Sequence, residues 1–221
     1  MVGRTNCGVS NGSKTVTINA PKSSTVAWSG TASGSASTGS VTQITVTLKA
    51  GTYTFKCTRS VNGTSQTIFT KTVAITGNAT VNMYPDGVIY WYGMQFVSFT
   101  KTNNSTVTTG SDYLRATSDK RYHEGMRTSS QVSITGKTKL YAQVYASGSL
   151  PANINNPQAR LWTSDTASPW MSDSGGTWAK ANTLTTLLTG LSGSGNAYVG
   201  IHFTPSAYSS TYCNLYAMWL E

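Results

Sequence analysis

VTQITVTLKAGTYTFKCT, residues 41–58, reads as two alternating strands about a turn. Ile44, Val46 and Leu48 share one face of the first strand. Tyr53, Phe55 and Cys57 share one face of the second, and Thr and Lys fill the positions between. This period of two is that of a half-buried β-strand, and Lys49-Ala50-Gly51 reverses the chain. Downstream, Asn62-Gly63 marks a tight hairpin closed by QTIFTKTVAI, residues 66–75. Asn78 precedes ATVNMY, and Pro85-Asp86-Gly87 supplies a terminating turn. Upstream, KTVTIN (14–19) and STVAWS (24–29) alternate in the same way. GTASGSASTGS (30–40) has no periodicity and is expected to be an exposed loop. The chain is therefore expected to be all-β, with a first domain over residues 1–85.

The charges divide at the same place. Arg4, Lys14, Lys22, Lys49, Lys56, Arg59 and Lys71 precede the first acid, Asp86. The remaining nine basic residues sit among all seven acids, so about +7 of the net +9 lies in the first domain. A domain without counter-charges repels itself, and an acidic partner surface would relieve that repulsion. Lys14, Lys22, Lys49, Lys56, Arg59 and Lys71 are the candidate docking residues. No nucleic-acid motif or aromatic stacking set accompanies them, so nucleic acid is not the expected partner.

Residues 86–221 form the expected second domain. It opens on its most aromatic stretch, VIYWYGMQFV (88–97), and continues with SDYLRATS, QVSI, KTKLYAQVYAS, QARLWTS, NAYVGIHF and YCNLYAMWL. In KTKLYAQVYAS, Leu140, Ala142 and Val144 oppose Tyr141, Gln143 and Tyr145, and in NAYVGIHF, Val199, Ile201 and Phe203 oppose Tyr198 and His202. Leu184, Leu187, Leu188 and Leu191 fit a short helix or a strand equally well.

With 221 residues the chain is long enough for two cored domains. Only 10% of residues are charged, and Ser, Thr, Gly and Asn cover the polar positions, as in adhesive, extracellular or virion β-proteins. No apolar run reaches membrane-spanning length, and MVGRTNCGVSNGSK lacks the apolar core of a secretory signal. Cys7, Cys57 and Cys213 are too few and too scattered for a disulfide framework or a zinc site, so neither metal nor cofactor is expected.

The run ITVTLKAGTYTFKCTRSVNGTSQTIFTKTVAITGNATVNMYP resembles the small prealbumin-like or immunoglobulin-like sandwiches of the carboxypeptidase-regulatory and PEGA families. That resemblance implies an adapter fold and no active site. The phrases YLRAT, TGKTKLYA, ARLW and YVGIHF, followed by an aromatic last strand, resemble the jelly-roll sandwiches of phage tail, head-fibre and baseplate proteins. The junction YPDGVIYWYG is similar to the joint between the two module types in such proteins. The resemblance implies a virion surface protein, as head fibre, capsid decoration or tail accessory, with capsid or tail proteins as partners and a trimer as the default assembly.

Catalytic signatures are sparse. Glycoside hydrolysis needs two carboxyl groups flanking the bond. The chain offers only Asp86, Asp112, Asp119, Glu124, Asp165, Asp173 and Glu221, several of them in turn contexts. Asp165 and Asp173 could face each other across Pro169-Trp170. His123-Glu124 lacks the second histidine of a zinc-protease helix, and no G-x-S-x-G elbow is present. Arg115, Lys120, Arg121 and Arg127 are mixed with acids and read as a solvated loop. An enzyme is not expected.

LWTSDTASPWMSDSGGTW places Trp162, Trp170 and Trp178 in a loop-rich segment. Indole rings stack on the apolar faces of sugars, and short polar side chains meet their hydroxyls. Trp162 continues a strand and is expected in the core, which leaves Trp170, Trp178, Asp165 and Asp173 as the glycan-binding candidates. The expected function is particle attachment through the basic domain with the second domain displayed outward. Recognition of bacterial surface glycans is the alternative.

Overall fold

The computed structural model describes residues 12–118, 124–147, 158–162, 182–191, 193–203 and 211–221, and every regular element among them is a strand. The chain divides into two compact units, Met1–Met83 and Tyr84–Glu221.

In the first unit, β1 (Ser13–Asn19) pairs antiparallel with β4 (Gln43–Lys49) and parallel with β7 (Ala79–Asn82). The facing sheet is built from β2 (Ser24–Gly30), β3 (Gly34–Ser37), β5 (Gly51–Val61) and β6 (Thr64–Ile75), in the order β3-β2-β5-β6. Val16, Ile18, Val26, Tyr53, Phe55 and Cys57 fill the space between the sheets with no exposed surface. Full burial of an aliphatic or Phe side chain is worth about 1.5–3 kcal/mol, so the alternation seen in the sequence becomes the core. Asn62 and Gly63 both take positive φ, 49° and 80°, and close the β5–β6 hairpin as expected.

Two local expectations change. Lys49-Ala50-Gly51 does not close a hairpin, because β4 and β5 lie in different sheets and the turn carries the chain across the sandwich. Alternation reports which face of a strand is buried and is silent about which strand it pairs with. The segment read as a loop contains β3, an edge strand held to β2 by register Trp28↔Gly34. The Trp28 ring lies on Gly34, where an added Cβ would come within 2.6 Å of it. A backbone ladder and one covering ring are enough for pairing, so periodicity is not required.

The second unit is also two-layered. One sheet centres on β19 (Thr211–Leu220), flanked on one side by β15 (Lys139–Ser147) and then β17 (Leu184–Gly190). On its other side β12 (Leu114–Ser118) and β8 (Val88–Trp91) follow one another along the edge, backed by β11 (Thr106–Thr109) and β9 (Met94–Gln95). The second sheet centres on β18 (Asn196–Phe203), between β16 (Gln158–Trp162) and the pair β13 (Glu124–Thr128) and β14 (Val132–Ser133), with β10 (Phe99–Thr102) beyond β13. Leu140, Val144, Leu215, Val199, Ile201 and Phe203 form the shared core. The leucine-rich segment is a strand, with Leu187 buried opposite Ala142.

Cys57 and Cys213 are free and buried. Burial pushes the Cys57 thiol up to about 11 and raises Cys213 further still, so both behave as small apolar residues.

Candidate functional site

The outward positions of the β19 sheet carry an array of aromatic residues outside the hydrophobic core. Tyr141 on β15 stacks on Trp219 of β19 at 4.8 Å with planes 7° apart. Trp219 meets the edge of Trp91 at 5.7 Å, Trp91 meets Tyr92 at 5.2 Å, and Tyr92 contacts Tyr216 at 6.2 Å. Tyr216 continues to Tyr113 at 5.7 Å. The guanidinium of Arg115 then lies 5.1 Å from the Tyr113 ring and 4.0 Å from that of Tyr212. The chain of contacts runs along three β-strand rows, which at about 7 Å per same-face step is roughly 20 Å.

Two backbone features assemble this array. A bulge in the β15–β19 ladder sets Ala217 opposite Gln143 and Leu215 opposite Val144, so Tyr216 is the extra residue. The bulge resets the phase of β19: Cys213 and Leu215 point inward before it, and Met218 and Leu220 after it, which sends Trp219 outward. At the β8–β9 turn, Tyr92 (φ 45°) and Gly93 (φ 89°) form a two-residue loop. A bulky residue in the left-handed region is strained, and such strain persists only where the surroundings hold it. Here the Tyr92 amide donates to the Tyr216 carbonyl at 2.6 Å, and its hydroxyl bonds Gln143 Oε1.

The polar side chains between the rings are tied down. Arg115 Nε donates to Asn214 Oδ1 at 2.8 Å, and Asn214 also bonds the Tyr216 hydroxyl. Burial raises the Tyr216 pKa, so that phenol stays neutral beyond its ordinary range. Trp91, Tyr92 and Tyr216 are buried, whereas Tyr113, Tyr141, Tyr212 and Trp219 are half-buried and keep part of each ring open. The face is apolar in body and polar at the ring tips, the combination that binds amphipathic ligands.

The outer face of the β18 sheet differs. Arg127 lies 3.9 Å over the Tyr198 ring, and Gln158, Arg160, Trp162 and His202 occupy neighbouring positions, all of them buried. Tyr198 is half-buried and its neighbours are buried, so little of this layer is open to solvent. Trp162 is buried as expected, but it pairs with Tyr198 on the side away from the core cluster. Arg127 is buried rather than solvated, because it belongs to β13 and not to a loop. A cleft of about 330 Å³ opens at the β10–β11 edge, lined by Phe99, Lys101, Val107 and Leu114.

Trp170, Trp178, Asp165 and Asp173 lie outside the described residues, as do His123, Asp119, Lys120 and Arg121. The docking candidates do not gather on one face. Lys49 extends from the outer side of the three-stranded sheet, Lys56 from the outer side of the four-stranded one, and Lys22 from the β1–β2 turn. Lys14 and Lys71 are half-buried. Arg59 is corrected from the surface to the interior: it continues the inward series Tyr53, Phe55, Cys57 and is 8% exposed.

Glu124 begins β13 with no exposed surface, and Ser105 Oγ donates to its Oε2 at 3.0 Å. The same Ser105 oxygen accepts the Gly125 amide at 2.7 Å, so this carboxylate fastens the β10–β11 loop to β13. Among the described residues no group of His, Cys, Asp and Glu could hold a metal ion, and no helix is long and apolar enough to cross a membrane.

No protein-family profile matches the chain, and no curated protein matches it. Among solved structures it is similar to one described as giving the structural basis for the promiscuous specificity of carbohydrate-binding modules from the β-sandwich superfamily. Identity is 15% over 96% of this chain and 99% of that one, with a TM-score of 0.39. It is also similar to a DUF3823 family protein from Bacteroides ovatus ATCC 8483, at 13% identity over 93% and 97% of the two chains and a TM-score of 0.26. The chain is an all-β protein of multi-sheet, sandwich-like architecture. What it does rests on its own residues.

Proposed function

We propose that this chain is a non-catalytic carbohydrate-binding protein whose second unit, Tyr84–Glu221, takes extended glycans on the outer face of the β19 sheet. The observation that carries this reading is the continuous run of rings from Tyr141 to Tyr212, which sits outside the core and alternates with fixed amides. A layer that only covered the sheet would need no Gln143 or Asn214 held in place between the rings. Tyr141 Oη, Trp219 Nε1 and Tyr212 Oη make no hydrogen bond within the described chain, so they are open to the hydroxyls of a sugar that packs on the rings. A glycan panel read by affinity electrophoresis tests this. Retardation by at least one polysaccharide, in a manner unaffected by metal chelation, is expected. Migration unchanged across neutral and acidic polysaccharides alike would refute it.

The strand orders support finer fold assignments. Immunoglobulin constant-type domains pair strands A-B-E-D and C-F-G. The orders β4-β1-β7 and β3-β2-β5-β6 depart from that pattern and favour the prealbumin-like alternative for the first unit. In the second unit β12, β13, β15, β16, β17, β18 and β19 largely alternate between sheets, which supports a jelly-roll-like assignment.

A second reading keeps the charge of the first unit. Seven basic residues without an acid favour docking on an acidic protein shell, so that a trimeric head-fibre, decoration or tail protein would hold the glycan-binding unit outward on a virion or cell surface. Because the cations are spread over both sheets, contact would involve several sides of the unit. On this reading the protein co-sediments with particles at low salt and dissociates as ionic strength rises. Retention independent of salt would exclude charge as the anchor.

A further inference from the structure

We infer that Arg115 sets the ligand class of the β19-sheet face: an acidic glycan, whose anionic group is held by the free edge of this guanidinium. The inference rests on the carbohydrate-binding reading above and goes one step beyond it.

Arg115 projects from β12 on the same side as Tyr113 and Tyr212 and is half-buried. Its guanidinium carbon lies 4.0 Å from the centre of the Tyr212 ring and 5.1 Å from that of Tyr113. Its Nε is committed to Asn214 Oδ1 at 2.8 Å. These contacts fix the direction of the group and leave the terminal nitrogens unused. Among the described residues no carboxylate lies within ion-pairing distance of it. Asp112 is the neighbouring acid, and its charge is felt at Tyr216.

Nearby structure fixes the rest of this end of the face. The Tyr113 ring lies on Gly110, where a Cβ would come within 2.6 Å of it. Tyr145 and Thr117 flank Asn214 and Tyr212 in the register of β15 and β12. A guanidinium held over tyrosine rings, with its Nε bonded and its terminal nitrogens open, can bind carboxylate, sulfate or phosphate through two parallel hydrogen bonds. Lysine could supply the charge but neither the fork nor the stacking. A glycan long enough to cover the array, packed on Tyr141 and Trp219 at one end and acidic towards the other, meets Arg115 there.

The test uses the full chain and short oligosaccharides in matched pairs. Tri-galacturonate is compared with its methyl ester, and a sulfated oligosaccharide with its unsulfated parent, by isothermal titration. Arg115→Gln is the variant, and Lys101→Gln, at an exposed edge position, is the charge-matched control. The native chain is expected to bind the acidic member about tenfold or more tightly. Arg115→Gln should abolish that preference while binding the neutral member within about twofold of the native chain, and Lys101→Gln should keep the preference. Preference for the galacturonate pair alone identifies a carboxylated ligand, and for the sulfated pair alone a sulfated one.

Equal binding of both members by the native chain overturns the inference and leaves the carbohydrate-binding reading standing. Equal loss of both members in Arg115→Gln shows a structural role and overturns it as well. An equal loss of preference in Lys101→Gln assigns the effect to net charge, with the same consequence. No binding of any oligosaccharide, neutral or acidic, overturns both readings.

Discussion

Trp219→Ala is expected to weaken glycan binding by about tenfold or more, which corresponds to ~1.4 kcal/mol. Trp219 is the one ring in contact with both Tyr141 and Trp91, at 4.8 Å and 5.7 Å. Removing it takes away its own sugar contact and leaves Tyr141 without the surface that orients it. Tryptophan and tyrosine are enriched among the few contact residues that dominate binding energy. Trp219→Phe keeps a ring and should retain most of the affinity, and near-UV circular dichroism should show that both variants stay folded. Affinity unchanged in a folded Trp219→Ala would remove the array from the binding account.

Phe55→Ala has the largest expected effect on stability, and it falls on the first unit. Phe55 has no exposed surface and packs near Tyr53, with ring centroids 6.2 Å apart, between the two sheets. Truncating a buried Phe costs about 3–5 kcal/mol, through lost transfer energy and the cavity left behind. That is a large share of the ~4–12 kcal/mol expected for a unit of this size. Calorimetry should show the transition of the first unit displaced to much lower temperature or absent. Because the proposed site belongs wholly to Tyr84–Glu221, glycan affinity should remain within about twofold. Loss of affinity in step with loss of the first unit's transition would place the site elsewhere.

Much of this was readable in the sequence, and the residues that were not share a physical cause. The outward row Tyr141, Gln143, Tyr145 follows from strict alternation, since Leu140, Ala142 and Val144 bury the other face. Trp219 does not follow from alternation. Counting in twos from Cys213 sends it into the core, and only the bulge at Tyr216 turns it out. The visible trace of that bulge is the apolar pair Met218 and Leu220, out of phase with Cys213 and Leu215. Tyr92 was equally hidden, because turn chemistry favours Asn or Asp before glycine, and here packing of the ring offsets the strain of a tyrosine. β13 has no alternation to mark it as a strand, since HEGMR mixes charge with glycine. Its Glu124 and Arg127 are buried by a serine bond and a tyrosine ring, partners remote in sequence. Trp170 and Trp178 stand out in the sequence because they sit among Gly, Ser and Asp, whereas the described rings converge on a sheet.

The central claim is that glycans lie on the outer face of the β19 sheet. Solution NMR of the labelled full chain, titrated with an oligosaccharide that binds, tests it most directly. Shift changes clustered on the Trp219 indole, Tyr141, Gln143, Arg115 and Tyr212 are the expected result. Changes confined to the first unit, or to Arg127, Tyr198 and His202 on the β18 sheet, would contradict it.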